Sequence, residues 1–343
     1  LVYGFLVIIG VIISVFLLFH ALPGDPVAMM AGQRTDVSTK EAIMKDLGLD
    51  QPLNKQLLYY FNDLSPISIH KSTVENEKKY EYLKVFSFKE SCIVIKFPYL
   101  RRSFQSNKKV SEIILEHVEG TFWLAISSML FASILGIFVG IITALKQNTW
   151  LDHLLLSLSV VGISMPSFVA AILMAMLFGF YLADYTGLNI TGQLWVTDSI
   201  YGRQLEIKNL ILPSITLGLR PLAIIVQLTR SSMLEVLSQD YIRTARAKGL
   251  GRYAVIKNHA LKNALNPVVT AVSGWLASLL AGAFFIEYIF NWKGIGSVTI
   301  KAVENLDFPV VMGSTLFIAT VFVVINLIVD ILYVLIDPRV RLN

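Results

Sequence analysis

The stretch TFWLAISSMLFASILGIFVGIITAL, residues 121–145, contains no Asp, Glu, Lys or Arg. A bilayer hydrocarbon core about 30 Å thick is crossed by roughly 20 apolar residues in a helix, so this run is long enough to span one. Further uncharged runs occupy residues 1–19, 154–183, 263–286 and 308–329, and a sixth, 210–237, is interrupted by Arg220 and Arg230. The pattern predicts an all-α polytopic membrane protein with six transmembrane helices. Composition agrees, since 55% of the 343 residues are hydrophobic and 15% charged, where a soluble domain carries about 25% charged residues. Mean hydropathy is +0.64. Leu1 lies inside an apolar run, as expected if the natural start lies upstream. That run has no small-residue cleavage pattern after it, so it reads as a retained span rather than a signal peptide.

Several function classes are excluded early. The single Cys92 removes an intrachain disulfide and any multi-cysteine metal site. A balance of 29 basic against 24 acidic residues is too even for a nucleic-acid surface. There is no H-E-x-x-H pair and no G-x-S-x-G elbow, and the five His residues are scattered at positions 20, 70, 117, 153 and 259. No catalytic residue and no metal ligand is therefore assigned, and a membrane enzyme would need groups converging from separate helices. No G-x-x-x-x-G-K-[ST] phosphate loop occurs, so a transport motor would lie in another chain. The competing non-enzymatic class is a self-sufficient secondary transporter or channel, which the absence of inverted half-repeats disfavours.

Short loops rich in Lys and Arg stay cytoplasmic. The loop after the fourth span holds Arg243, Arg246, Lys248, Arg252, Lys257 and Lys262 against Asp240 alone, the tail adds Arg339 and Arg341, and the loop after the second span adds Lys146. With six spans these segments share one side, which places both termini in the cytoplasm. Residues 21–120, 183–208 and 291–307 then lie outside. The chain divides into a first span (1–20), an extracytoplasmic segment (21–120) and a five-helix core (121–343) that includes the loop 238–262. Within the outer segment, apolar spacing predicts helices over residues 38–47 and 51–61. Residues 67–96 turn Lys- and Glu-rich and then β-branched and aromatic, which reads either as an ordered subdomain or hairpin or as a linker.

The most informative stretch is DYIRTARAKGLGRYAVIKNHALKNALNPVV, residues 240–269. Tyr241 to Lys248 can form two helical turns, Gly249 and Gly251 supply a bend, and Tyr253 to Leu265 resumes helical spacing. A basic loop held near anionic lipid headgroups explains the charge but not the break.

This segment resembles the conserved cytoplasmic loop of the membrane subunits of binding-protein-dependent ABC importers, whose pattern is Glu-Ala-Ala, three residues, Gly, nine residues, then Ile-x-Leu-Pro. Arg243, Thr244, Ala245 and Gly249 occupy the first four fixed places, and His259, Ala260, Leu261 and Lys262 the last four. The Glu and the Leu-Pro are not matched literally. TARAKG followed by HALKNAL is the form of the dipeptide, oligopeptide and nickel permease branch. LPGDP (22–26), LGLDQPL (47–53), LRRSF (100–104), LTRSSMLEVLSQDY (228–241), IFNWKGIG (289–296) and DILYVLIDPRVR (330–341) resemble the first, B-type, of its two permease subunits. Residues 66–98 interrupt the resemblance as an insertion, which would pack on the spans or extend a docking surface.

The resemblance implies a type I ABC importer permease fold in the bacterial inner membrane. It implies as partners a second permease subunit, two ATP-binding subunits, an extracytoplasmic solute-binding protein and the lipid bilayer. ATP and Mg²⁺ would be bound by the partner ATPases and no cofactor by this chain. The ATPase-coupling loop would comprise Asp240, Tyr241, Arg243, Thr244, Ala245, Arg246, Ala247, Lys248, Gly249 and His259. The cargo would be peptides, or nickel and related small solutes, and the lack of clustered His or Cys in the spans favours peptides.

Polar groups within spans are functional candidates by default. Arg220 beside Pro221, and Ser164, Pro166 and Ser167 at a proline break, read as walls of a translocation path, with a packing kink as the alternative at the break. Arg230 and Glu235 either serve the path or snorkel to the interface. Glu287 either meets Lys293 or a binding protein, or anchors structure. Asn326 and Asp330 read as interhelical glue, and Gly136 with Gly140 as a close-packing G-x-x-x-G pair.

The topology can be tested by cysteine labelling from a Cys92→Ser background. Asn76→Cys should react with a membrane-impermeant thiol reagent in intact cells and Ser238→Cys should not; the reverse pattern would overturn the orientation.

Overall fold

The computed structural model describes residues 2–21, 44, 50–88, 91–198, 202–281 and 283–336. The helix expected over residues 38–47 (Met44 apart), the LPGDP run and the basic tail with Arg339 and Arg341 lie outside the described residues. In chain order the elements are α1 (Val2–Ala21), α2 (Leu53–Leu64), β1 (Ile67–Lys71), α3 (Val74–Tyr80), β2 (Leu83–Phe88), β3 (Ser91–Ile95), α4 (Val110–Leu145) and α5 (Trp150–Ser164). α6 (Ser167–Met174) runs into a π-helical stretch at Ala175–Tyr181, and β4 (Trp195–Asp198) pairs with β5 (Gly202–Leu205). Then come α7 (Lys208–Leu237), α8 (Asp240–Ala247), α9 (Arg252–Val255), a π turn at Ile256–Ala260, α10 (Leu261–Ala264), α11 (Asn266–Leu280), α12 (Phe284–Ile289), α13 (Ile295–Glu304) and α14 (Phe308–Ile336).

Among the described residues the apolar helices do not amount to six separate rods of membrane length. Among the described residues, α1, α4, α7 and α14 are each long and apolar enough to cross a membrane. The third region is a pair, α5 and α6 with its π extension, bent by 111°. Proline causes the bend: Met165, which precedes Pro166, is extended at φ −77 and ψ 128, the conformation a residue before proline is pushed into. The fifth region divides into α11, of 15 residues, and α12. Among the described residues the chain is mostly helical, with two small sheets in the connections.

Described residues within 1–116 and 298–323 form one compact unit. Phe16 and Phe19 of α1, Tyr60 and Leu64 of α2, and Phe308, Met312 and Leu316 of α14 make its core. LRRSF is fastened there by Asp307, whose carboxylate accepts from Ser103 Oγ (2.5 Å) and Phe104 N (2.9 Å). β1, β2 and β3 form an antiparallel sheet in the order β1-β3-β2, with α3 between β1 and β2 in the chain. Alternation sends Ser68, His70, Cys92 and Val94 to a buried face, while Ile67, Ile69, Leu83, Phe86, Phe88 and Ile95 stay exposed. Asn62 of α2 holds the β1 edge, donating to Ile69 O and accepting from Ile69 N, each at 3.0 Å.

Described residues within 117–297 and 324–343 form the second unit. α4 lies directly on α7. A Cβ at Gly136 would stand 2.8 Å from Ile225 Cγ2, and one at Gly140 2.5 Å from Thr229 Cβ, so only glycine permits this approach.

On the buried face of the sheet, the His70 ring lies against Tyr80, tilted by 30° with ring centroids 4.1 Å apart, and shares a hydrogen bond of 3.0 Å with Ser68. Burial, with Lys96 and Lys79 nearby, lowers its pKa from 6.5 to about 4. Between those values the unfolded chain binds the extra proton, so stability falls as pH drops from 6.5 toward 4. Asp63, pushed up by burial, opposes this at the acid end. Thermal melting of the purified chain should therefore weaken between pH 7 and pH 5, and His70→Phe should flatten that slope. Equal slopes in the two proteins would show that His70 does not titrate on unfolding.

Candidate functional site

The basic loop folds as an elbow. α8 turns Ile242 and Ala245, three residues apart on one face, into a core with Ala144 of α4, Met233 of α7, and Val255, Ala260 and Ala264. Its other face, with Tyr241, Arg243, Thr244, Arg246 and Ala247, is exposed, as are Asp240 at its start and Lys248 and Gly249 at its end. Asp240 sits in the first turn, where a negative charge suits the helix dipole, and its carboxylate accepts from Arg243 Nη1 at 3.2 Å.

The helix ends in a Schellman arrangement. Gly249 N donates to Arg246 O at 3.0 Å and Leu250 N to Ala245 O at 3.3 Å. Gly249 has φ +80, and a Cβ there would meet nothing within 4 Å, so glycine is required by the backbone and not by crowding. Gly251 plays a different part from the one expected. It is extended at φ −61 and ψ 153 as the residue before α9, a conformation open to any residue. The returning segment is tied to α8 by Asn263 Nδ2 donating to Tyr241 Oη at 2.9 Å. His259 is half-buried in the π turn. An open pocket of about 410 Å³ lies beside the elbow, lined by Ala144, Leu145, Leu237, Arg246, Leu250 and Arg252 among others.

Arg230 does not snorkel. Its Nε and Nη2 donate to Asp152 Oδ1 and Oδ2 at 2.8 and 2.7 Å, and the Asp152 side chain is 1% exposed. Asn148 N donates to the same carboxylate at 2.9 Å. This two-pronged pair joins the start of α5 to α7. Glu235, by contrast, is exposed.

Glu287 is fully buried and accepts from Thr121 Oγ1 (2.8 Å) and Ser297 N (3.0 Å). Lys293 is exposed and is not its partner. A Cβ at Gly294 would stand 2.4 Å from the Glu287 carboxyl carbon, which accounts for the glycine in NWKGIG. Ser164, Pro166 and Ser167 are exposed at the break between α5 and α6, and Arg220 is exposed on α7. Gly162 lies against Leu219 O, where a Cβ would be 3.3 Å away. Asp330 is exposed, and Asn326 is half-buried.

Sequence reasoning missed Asp152, Thr121 and Asp307. Each pairs with a group distant along the chain, and no periodicity announces such a pair.

Residues 136–342 match the family described as binding-protein-dependent transport system inner membrane component, and residues 2–125 its N-terminal region. The dipeptide transport system permease protein DppB of Alkalihalophilus pseudofirmus is 38% identical over 350 residues, covering 98% of this chain and 96% of that one. DppB of Escherichia coli strain K12 is 36% identical over 351 residues, covering 97% and 94%. The glutathione transport system permease protein GsiC of Escherichia coli O6:H1 is 34% identical over 329 residues, covering 96% and 93%. Among solved structures, a chain of the inward facing MetNI methionine ABC transporter matches with a TM-score of 0.52 at 15% identity, over 66% of this chain and 97% of that chain. At that identity the likeness speaks for the fold alone.

Asp152→Ala should destabilise the purified chain by roughly 2 kcal/mol, less than the roughly 3–5 kcal/mol for a fully buried pair because Arg230 keeps some solvent. Thermal melting is the readout. Asp152→Ala combined with Arg230→Met should recover part of the loss, because no unpaired charge is left behind.

Proposed function

The chain belongs to the binding-protein-dependent transport system inner membrane components, and we propose that it is the B-type permease subunit of an ATP-driven importer of peptides. The observation that carries this is the match to dipeptide permeases over nearly the whole chain, joined to the exposed α8 elbow. Its work is to frame half of a translocation path. A second permease subunit supplies the other half, and an extracytoplasmic binding protein delivers cargo.

Two ATP-binding subunits provide the energy and hold ATP and Mg²⁺. α8 docks into them by its exposed face, with Asp240, Tyr241, Arg243, Thr244, Arg246, Ala247 and Lys248 at or near the contact. Gly249 sets the angle of the elbow, and Ala245 and His259 set its seat. Because Ile242 and Ala245 are packed on Ala144 and Met233, displacement of α8 reaches α4 and α7 directly. Ser164, Pro166, Ser167 and Arg220 line the path. Both termini and the elbow are cytoplasmic, and the sheet of residues 67–95 is outside.

The test is reconstitution in liposomes with the second permease, the ATPases and the binding protein. Peptide uptake should require ATP and both kinds of partner. Gly249→Val imposes a left-handed backbone penalty of about 1 kcal/mol or more. It should reduce ATP hydrolysis stimulated by the loaded binding protein several-fold while leaving membrane insertion intact. Uptake driven by an ion gradient without the ATPases would overturn the reading.

A further inference from the structure

The outward faces of two packed helices differ in chemistry. On α4 the exposed residues from Thr121 onward include Phe122, Trp123, Leu130, Ile134, Leu135 and Phe138, a surface suited to lipid. On α7 the exposed residues from Arg220 to Leu237 are Arg220, Gln227, Ser231 and Glu235, all of them polar. At about 100° per residue these four fall within a sector of about 80°, so they form one stripe along the helix.

Arg220 heads that stripe in the interior of α7, which runs from Lys208 to Leu237. Arg230 is bound to Asp152 in the first turn of α5, directly after the polar Lys146–Thr149 connection, whose composition suits a membrane interface at that end. Arg220 lies ten residues further in, about 15 Å along the axis, or half of a hydrocarbon core of about 30 Å. A guanidinium at the midplane needs water or an anion. Among the described residues Arg220 has no hydrogen-bond or ion-pair partner, and the acid of its own stripe, Glu235, is about 22 Å away along the helix.

We propose that the α7 stripe Arg220, Gln227, Ser231 and Glu235 is the wetted wall of the path, and that Arg220 receives the terminal carboxylate of the cargo at the membrane midplane. A planar guanidinium offers two parallel donors to a carboxylate, and Gln227 and Ser231 offer neutral hydrogen bonds along the exit, where a second fixed charge would hold the anion back. This rests on the permease reading and adds to it the chemical group that is recognised.

The test uses the full reconstituted complex and one dipeptide in two forms, the free acid and the C-terminal amide, each loaded to saturation on the binding protein. Wild type should import the acid about tenfold or more faster than the amide. Arg220→Gln should bring the two rates to near equality by slowing the acid, and Arg220→Lys should restore part of the preference. An undiminished preference in Arg220→Gln overturns the proposal and leaves the permease reading standing, as does Arg220→Lys behaving like Arg220→Gln. Absence of ATP-dependent import in wild type overturns both. A second measurement does not depend on Arg220 variants assembling. In a Cys92→Ser background, Gln227→Cys should react with a hydrophilic thiol reagent in the assembled complex and be protected by cargo. An unreactive Cys at that place, while Gln147→Cys in the exposed connection before α5 reacts, would show that the stripe is dry and overturn the proposal.

Discussion

Hydrocarbon offers a backbone no hydrogen-bond partner, and the architecture follows from that fact. Every amide that crosses the bilayer must be satisfied within its own segment, so the uncharged runs become helices whatever their local propensities. The same rule sets where irregularity is tolerated. The 111° bend between α5 and α6 frees backbone groups around Ser164 to Ser167. Such a break is sustainable only beside protein or water.

Two devices fix α7 at the centre of its unit. Glycines at 136 and 140 bring α4 against it more closely than any side chain would permit, and the Asp152–Arg230 pair fastens α5 to the same helix. α8 rests on this assembly through Ile242 and Ala245. Through that apolar patch any movement of α8 would bear on α4 and α7. The Schellman end at Gly249 then keeps the elbow sharp, because both freed carbonyls are already paired.

Glu287 shows a buried charge-bearing group used to organise a turn. Its carboxylate collects Thr121 Oγ1 and Ser297 N, and Thr121 Oγ1 accepts from Ile295 N at 2.8 Å. The run IFNWKGIG is therefore wrapped around one side chain. The same logic holds Asp307 to Ser103 and Phe104 in the other unit. In both places a carboxylate replaces several backbone partnerships that a tight turn cannot make for itself.

Hydropathy, charge and spacing along the chain were enough to place the apolar regions, the basic loop, its helix-break-helix form and the special conformation of Gly249. All of these are properties of neighbours in the sequence, and so is the G-x-x-x-G signature of close approach at Gly136 and Gly140. Packing alone settled which helix those glycines approach, that Arg230 is paired rather than snorkelling, that Glu287 turns inward to Thr121 instead of outward to Lys293, and that residues 67–95 close into a sheet rather than a linker. Gly251 needed the fold too, since only its φ shows that it bears no strain. What separates the two groups is the length scale of each interaction. Asp152 and Arg230 are 78 residues apart and Thr121 and Glu287 are 166 apart, so their pairing is set by how the helices pack, and no local pattern carries that information.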